Sequence, residues 1–240
     1  ETFYNKVFGG FADRLEAIAN AKTPADMALR HEASGVWIRL FPDVEPQFFH
    51  GATCSQAEID IVRQVSDVVR LGRVEAIDEH GMKLQQGEVA SVANSLYVDC
   101  TASALSKGET KPIFEDDRIT LQMVRFPQVS FSAAFLAYLE AIESDTKEKN
   151  RLAQPLPLPD SMDDYVQTLF VDMMNRLQCS QHKQLRAWTT ESKLEGYAKI
   201  ARSTDKSDTE RMAILQRISE QTAAAAKNIP NLLQVVGSRR

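Results

Sequence analysis

A row of small residues at the end of a short apolar segment is the first place in this sequence where chemistry is expected. The segment, residues 95–105, reads SLYVDCTASAL. Small side chains let the main chain approach a flat ring or a pyrophosphate, as glycine does in dinucleotide-binding loops. Thr101 and Ser103 add hydroxyl groups that could reach a ribose or phosphate oxygen. The small residues of this candidate turn are Cys100, Thr101, Ala102 and Ser103.

The same turn is also compatible with a purely structural role, and the sequence leaves the two alternatives open. In the structural alternative, the chain makes a tight crossing from strand to loop and Asp99 holds the turn. In the ligand alternative, the turn lies at the carboxyl end of a strand, which is where open α/β sheets bind their ligands.

The cysteines and histidines do not indicate a metal site or an acid–base pair. The three cysteines are widely spaced and form no C-x-x-C pair, so neither a disulfide framework nor a zinc site is expected. A reducing, cytoplasmic setting is the default for such a chain. The four histidines lack partners at metal-ligand spacing, and solvated or capping roles are expected for each. His31 is expected on an amphipathic helix beside Arg30 and Glu32.

The elements that must position these residues change in character along the chain. Helices are predicted from about Gly10, after Thr23 with its following proline, and after Ser55, whose S-x-x-E spacing to Glu58 is a capping box. Alternating apolar residues over 74–84 predict a β-hairpin, with residues 78–81 as its turn. This first part of the chain therefore indicates an α/β domain.

Three short apolar segments are predicted as strands, and a helix follows them. The segments are residues 36–41, 95–101 and 118–124, and the second is expected to be central because it is apolar on both faces. The helix is predicted over residues 130–145 with Ser130 or Ser132 as its cap. After the proline-rich residues 153–161 the pattern stays helical to the end.

Charge and hydropathy restrict the classes of partner. The net charge of −5 gives no basic face with which to neutralise a phosphate backbone, so nucleic acid is not expected as a partner. No apolar run reaches the roughly 18 to 20 residues of a membrane helix, so a membrane partner is not expected either. The N-terminal residues lack the pattern of a signal peptide.

Residues 72–103, GRVEAIDEHGMKLQQGEVASVANSLYVDCTAS, resemble a region of flavoproteins with two dinucleotide-binding domains. In those FAD- and NAD(P)-dependent oxidoreductases, which include flavin monooxygenases, this region ends in a strand and an ATG-like turn. Residues 117–161 are similar to the C-terminal section of uncharacterised members of the group. Residues 8–74 are similar to the stretch after their second Rossmann fingerprint, so the resemblance covers residues 8–161.

The resemblance implies an incomplete FAD/NAD(P)-binding, Rossmann-like domain with a small hairpin sheet in residues 1–158. An all-helical region is expected to follow in residues 159–240. The sequence contains no G-x-G-x-x-G, so the phosphate-binding loops are expected upstream of Glu1 and the chain is expected to be a C-terminal portion.

The resemblance also implies FAD and NAD(P) as cofactors and two places that contact them. The main chain of the small-residue turn approaches the cofactor. A helix start near Phe131 offers N–H groups to the pyrimidine edge of the flavin. The alternative for that helix is a plain capped helix packed by Phe131 and Phe135. The implied cofactor-binding residues are Cys100, Thr101, Ala102, Ser103, Gln122, Gln128, Phe131 and Ser132.

Two functions from different classes follow. The first is the C-terminal part of a flavin-dependent oxidoreductase, with hydride transfer from NAD(P)H to FAD and then to oxygen or another acceptor. The second is a non-catalytic protein-interaction module derived from such an enzyme. The expected partner is the missing N-terminal part or a second copy of the chain.

Overall fold

The computed structural model describes residues 3–46, 51–101 and 108–238 of the 240-residue chain. The chain is mixed α/β, mostly helical, with one small antiparallel sheet. It forms two compact units, Glu1–Thr53 with Glu109–Arg240, and Cys54–Gly108. The smaller unit is therefore inserted in the sequence of the larger one.

Helices precede and follow the three strands along the chain. In chain order the elements are α1 (Phe3–Asn20), α2 (Pro24–Ala33), α3 (Gln56–Val62), β1 (Val74–Ile77), β2 (Gly81–Leu84), β3 (Gly87–Ala90), α4 (Val129–Ile142), α5 (Thr146–Leu152), α6 (Met162–Gln181), α7 (Lys183–Glu191), α8 (Gly196–Arg202) and α9 (Thr209–Gly237).

Local capping explains where the predicted helices α2 and α3 begin. Thr23 accepts a hydrogen bond from the main-chain N–H of Asp26 at 3.0 Å, and Pro24 occupies the first turn. Ser55 and Glu58 form the predicted capping box of α3. Both caps satisfy N–H groups that have no acceptor inside the helix.

Two apolar cores hold the larger unit together, and α6 contributes to both. The first packs α4 and α5 against α7 around Leu136, Leu139 and Leu185. The second packs α1, α2 and α9 around Met27, Val166 and Leu232. Residues from both sides of position 158 share each core, while the predicted domain boundary at that position stays a prediction.

The first and last helices of the larger unit are joined by polar contacts as well as by the second core. The side-chain amide of Asn228 in α9 donates to the carbonyl oxygens of Ile18 at 2.8 Å and Ala21 at 2.7 Å. These carbonyls belong to the end of α1, where no further helical turn supplies N–H donors. Asn228 therefore acts as a C-terminal cap supplied by another helix.

The smaller unit contains the predicted hairpin and one more strand. β1 and β2 pair antiparallel, with Ile77 opposite Met82, and β2 pairs with β3. Gly81 has a φ of +153°, and a Cβ there would lie 2.1 Å from the carbonyl oxygen of Val89. Only glycine therefore fits at the start of β2. The hairpin prediction is confirmed, and β3 was not predicted.

The three predicted single strands are wrong as far as the described residues are concerned. Residues 36–41 and 95–101 are not part of a strand, and residues 118–124 make one isolated bridge, between Ile119 and Phe114. A strand needs a neighbour to pair its main chain, and local apolar character does not supply one. The predicted central segment is exposed instead of buried, with Leu96 at 87% and Val98 at 70% exposure.

Candidate functional site

The residues predicted to bind the cofactor fall into two groups, one in each unit. Cys100 and Thr101 lie in the smaller unit, whereas Gln122, Gln128 and the start of α4 lie in the larger one. Ala102 and Ser103 lie outside the described residues.

In the smaller unit, a carboxylate holds the predicted turn. Asp99 Oδ1 accepts hydrogen bonds from the main-chain N–H of Thr101 at 2.9 Å and from its hydroxyl at 2.6 Å. These bonds, the hydroxyl bond first, lower the pKa of Asp99. The contact matches the structural alternative, in which Asp99 holds the turn. It also leaves Cys100 and Thr101 exposed and open to a ligand.

In the larger unit, Ser132 does not cap α4, so the predicted serine cap is wrong. Its hydroxyl is buried, donates to the carbonyl oxygen of Gln128 at 2.7 Å, and accepts the N–H groups of Val124 and Arg125 at 3.2 and 3.3 Å. Ser132 lies one turn into the helix, so it folds the preceding loop back onto α4. The residue at the cap position is Gln128, which makes no side-chain capping bond.

The side-chain oxygen of Gln128 is a buried hydrogen-bond acceptor. This atom, Oε1, has no hydrogen-bond partner. A buried carbonyl-type oxygen without a donor is unfavourable by about 1 to 3 kcal/mol, so native proteins rarely keep one without a reason. Gln128 is the residue that precedes the first turn of α4, whose N–H groups have no acceptor within the helix.

Arg125 is a buried cation beside the start of α4. Its guanidinium carbon lies 4.1 Å from the centroid of the Phe131 ring, and its Nη1 lies 3.7 Å from Oε1 of Glu195. Burial, helped by the nearby charge of Arg176, lowers the pKa of Arg125 to about 10. The side chain therefore stays positively charged at neutral pH. Phe131 itself is buried in the first core.

Two polar side chains of α6 fix the loop that carries Arg125. Asp172 Oδ1 accepts the main-chain N–H of Phe126 at 3.2 Å. The amide of Asn175 donates to the carbonyl oxygens of Val124 at 2.9 Å and Gln154 at 2.7 Å. Sequence reasoning missed both residues. The available signal was the helical spacing of polar residues 168, 172 and 175, which places them on the same face as Tyr165 and Cys179.

The side chain of Gln122 forms its hydrogen bonds with Lys111 and not with the start of α4. Its Oε1 accepts the main-chain N–H of Lys111 at 3.0 Å, and its Nε2 donates to the carbonyl oxygen of the same residue at 2.7 Å. The side chain thus replaces a strand partner for Lys111. The structure therefore does not group Gln122 with Gln128, Phe131 and Ser132.

His31 is buried instead of solvated, which corrects the expectation for this residue. Neither ring nitrogen has a hydrogen-bond partner, and the ring centroid lies 4.3 Å from that of Trp37. Burial, with a smaller effect of the Arg14 charge, lowers the pKa of His31 to about 4. His182 takes a capping role, since its Nδ1 accepts the N–H of Leu185 at 3.3 Å.

Neither a metal site nor a membrane span is found within the ranges that the structure describes. No group of three or more His, Cys, Asp and Glu side chains there could hold a metal ion. The described helices include none that is both long and apolar enough to cross a bilayer.

Comparison with known proteins finds relatives whose function is uncharacterized. Uncharacterized proteins of Mycobacterium bovis and Mycobacterium tuberculosis are 31% identical to this chain over 232 residues. The match covers 97% of this chain and 43% of each relative, so the chain spans less than half the length of the curated relatives it matches. No family model and no solved structure matches the chain.

Proposed function

We propose that this chain is the C-terminal part of a flavin-dependent oxidoreductase. In such an enzyme hydride is transferred from NAD(P)H to FAD and then to oxygen or another acceptor, and the cofactor supplies the redox chemistry. The observation that carries the proposal is the order of elements in the smaller unit. The β1–β2 hairpin is followed by the exposed apolar residues 96–98 and by the Asp99 turn. This order is the one expected of an incomplete Rossmann-like domain.

The Asp99 turn suits a role in main-chain approach to the cofactor. Its shape is fixed by the two hydrogen bonds from Thr101, so little conformational freedom is lost when a ligand binds. Cys100 and Thr101 present small, exposed side chains. The proposal includes Ala102 and Ser103 in the same cofactor-binding set on the basis of the sequence alone.

The start of α4 suits a role at the pyrimidine edge of the flavin. That edge presents one N–H between two carbonyl oxygens, so it requires one acceptor and two donors. The orphaned amide oxygen of Gln128 is an acceptor, and the first-turn N–H groups of α4 are donors. The side chains of Phe131 and Ser132 are buried. In the proposal, Phe131 therefore contributes its main-chain N–H, and Ser132 positions the preceding loop. Gln122 shapes the segment that leads to this loop.

A non-catalytic interaction module is the second candidate, and one observation favours it. The smaller unit exposes many apolar side chains, and large exposed apolar surfaces mark interaction sites. Its partner would be the missing N-terminal part or a second copy, not nucleic acid or a membrane. The proposed compartment for both candidates is the cytoplasm.

The test is the visible absorption spectrum of the purified chain after incubation with FAD and desalting. A retained flavin band supports the oxidoreductase, and a folded, colourless protein supports the interaction module. The same measurement on the complete polypeptide encoded by the reading frame decides whether upstream loops are required. A complete polypeptide that retains no flavin contradicts the proposed function.

A matched pair of variants assigns any bound flavin to the turn. Thr101→Trp places a large side chain where the main chain must approach the cofactor, and we expect flavin retention to fall at least tenfold. Glu79→Trp introduces the same side chain at an exposed position of the hairpin turn and should leave retention unchanged. Equal retention in both variants would remove the turn from the binding site.

A further inference from the structure

We infer that residues 95–100 form an interior strand of a β-sheet whose other strands come from polypeptide outside these 240 residues. The inference rests on the proposed function for the identity of the partner, an α/β cofactor domain in the same longer protein. It specifies the segment that joins this chain to that domain and how it does so.

The side chains of this segment have the character of an interior strand but the exposure of a loop. Leu96, Tyr97 and Val98 are consecutive, and consecutive side chains of a strand point to opposite faces. A strand that is apolar on both faces is stable where both faces of the sheet are covered. Here Leu96 and Val98 are largely exposed, and Tyr97 is exposed by 39%.

The main chain of Leu96 to Val98 is equally unpartnered, whereas the N–H of the preceding Ser95 donates to the carbonyl oxygen of Val92 at 3.2 Å. Within the described residues, no main-chain hydrogen bond is formed by Leu96, Tyr97 or Val98. The nearest polar contacts are side-chain contacts, from Ser91 Oγ to the Tyr97 hydroxyl at 2.9 Å and from Asp99 to Thr101. A row of free N–H and C=O groups is the template that an added strand pairs with.

Residues close to the segment in sequence also expose apolar side chains to solvent. All four side chains of β1 are exposed, and so are apolar residues before and after the sheet. Leu84 is the one buried residue of the three strands, and a three-stranded sheet with so little covered surface is marginal on its own. The apolar residues of the smaller unit that are at least half exposed are Ile61, Val65, Val92, Leu96 and Val98.

The length of the relatives identifies the partner as additional polypeptide of the same protein. The match leaves more than half of each mycobacterial relative outside the aligned region, since it covers 97% of this chain and 43% of theirs. A second copy of this chain is a weaker candidate for the partner of residues 95–100. Two copies paired through residues 95–100 would leave each strand with one free edge and would cover neither apolar face.

Amide hydrogen exchange, read by mass spectrometry, tests the inference on this chain and on the complete polypeptide. We expect peptides spanning residues 95–100 to exchange at nearly unprotected rates in this chain and at least 100-fold more slowly in the complete polypeptide. Peptides spanning the hairpin turn at residues 78–81 should exchange equally in both. Fast exchange of residues 95–100 in the complete polypeptide overturns the inference.

A pair of substitutions separates strand insertion from a general effect on folding. Val98→Asp should leave the unfolding midpoint of this chain unchanged, because the side chain is exposed, and should abolish the protection in the complete polypeptide. Leu29→Asp, at an exposed apolar position of the larger unit, should leave that protection intact. Protection that appears in this chain alone as its concentration rises would assign the segment to a homodimer and overturn the inference.

The outcome is independent of flavin binding. A complete polypeptide that protects residues 95–100 but retains no FAD keeps this inference and removes the proposed function. A complete polypeptide that retains FAD while residues 95–100 exchange freely keeps the proposed function and removes this inference.

Discussion

The guanidinium carbon of Arg125 lies 4.1 Å from the centroid of the Phe131 ring, so a buried cation packs against an aromatic side chain of the first turn of α4. Its carboxylate partner, Glu195, lies at the start of α8 and caps that helix by accepting the N–H of Ala198 at 3.1 Å. This pair therefore connects the loop before α4 to a helix much later in the chain. The connection can be tested by removing either charge.

Arg125→Met should destabilise the larger unit by about 3 kcal/mol, because it leaves the largely buried Glu195 carboxylate without its cation. Chemical denaturation followed by circular dichroism measures the change. The double variant with Glu195→Gln should recover most of the loss. The exposed ion pair of Arg118 with Glu115 is the control, and Arg118→Met should have no measurable effect. Equal losses in the single and double variants would contradict coupling between Arg125 and Glu195.

Asn175→Ala should destabilise the protein by about 2 kcal/mol, because it removes the donors to the carbonyl oxygens of Val124 and Gln154. The measurement is the free energy of unfolding in urea. Gln181→Ala removes a side-chain amide from an exposed position at the end of the same helix and should change stability by only a few tenths of a kcal/mol. A loss of similar size in both variants would show that α6 does not hold this loop.

Stability should fall as the pH is lowered from about 6.5 to about 4, because His31 is buried in its neutral form. Burial lowers its pKa in the folded protein to about 4, whereas the unfolded chain binds the proton near 6.5. The contribution is complete above pH 6.5 and is lost as the pH falls towards 4, by roughly 3 kcal/mol in all.

Urea unfolding at a series of pH values measures the effect of His31. His31→Phe should remove this part of the pH dependence, while His80→Gln, at an exposed turn position, should keep it. An unchanged slope in the His31 variant would mean that other groups dominate the acid destabilisation.

Gly81→Ala should disrupt the three-stranded sheet, by at least about 2 kcal/mol, because the added Cβ would lie 2.1 Å from the carbonyl oxygen of Val89 at a φ of +153°. Hydrogen exchange of β2 and β3 should accelerate in this variant. Gly10→Ala is the opposite case, since a Cβ there meets no atom within 4 Å and the residue lies inside α1. That variant should be more stable by about 0.5 to 1 kcal/mol.

Features coded by neighbouring residues were predictable from the sequence, and features that depend on distant partners were not. The caps at Thr23 and Ser55 and the hairpin at residues 74–84 require only a few adjacent residues, and all three are present. The single strands failed because a strand exists only with a neighbour, and the described residues provide none for Leu96 to Val98.

The candidate site divides in the same way. The Asp99 turn is a contact between residues two apart, and the structural alternative anticipated it. The anchoring of Arg125 depends on Asp172, Asn175 and Glu195, which lie far later in the chain and have no motif of their own. The burial of His31 was missed because its helix neighbours Arg30 and Glu32 are polar, while the aromatic ring that covers it comes from Trp37.

The cap that Asn228 provides for α1 has a consequence for the order of events during synthesis. The two carbonyl groups that it satisfies lie 210 and 207 positions earlier in the chain. While the ribosome is still making the intervening segment, water must donate to the carbonyl groups at the end of α1 in place of this amide. The end of α1 is therefore among the last parts of these 240 residues to be completed, because its final turn is locked only when α9 has been made.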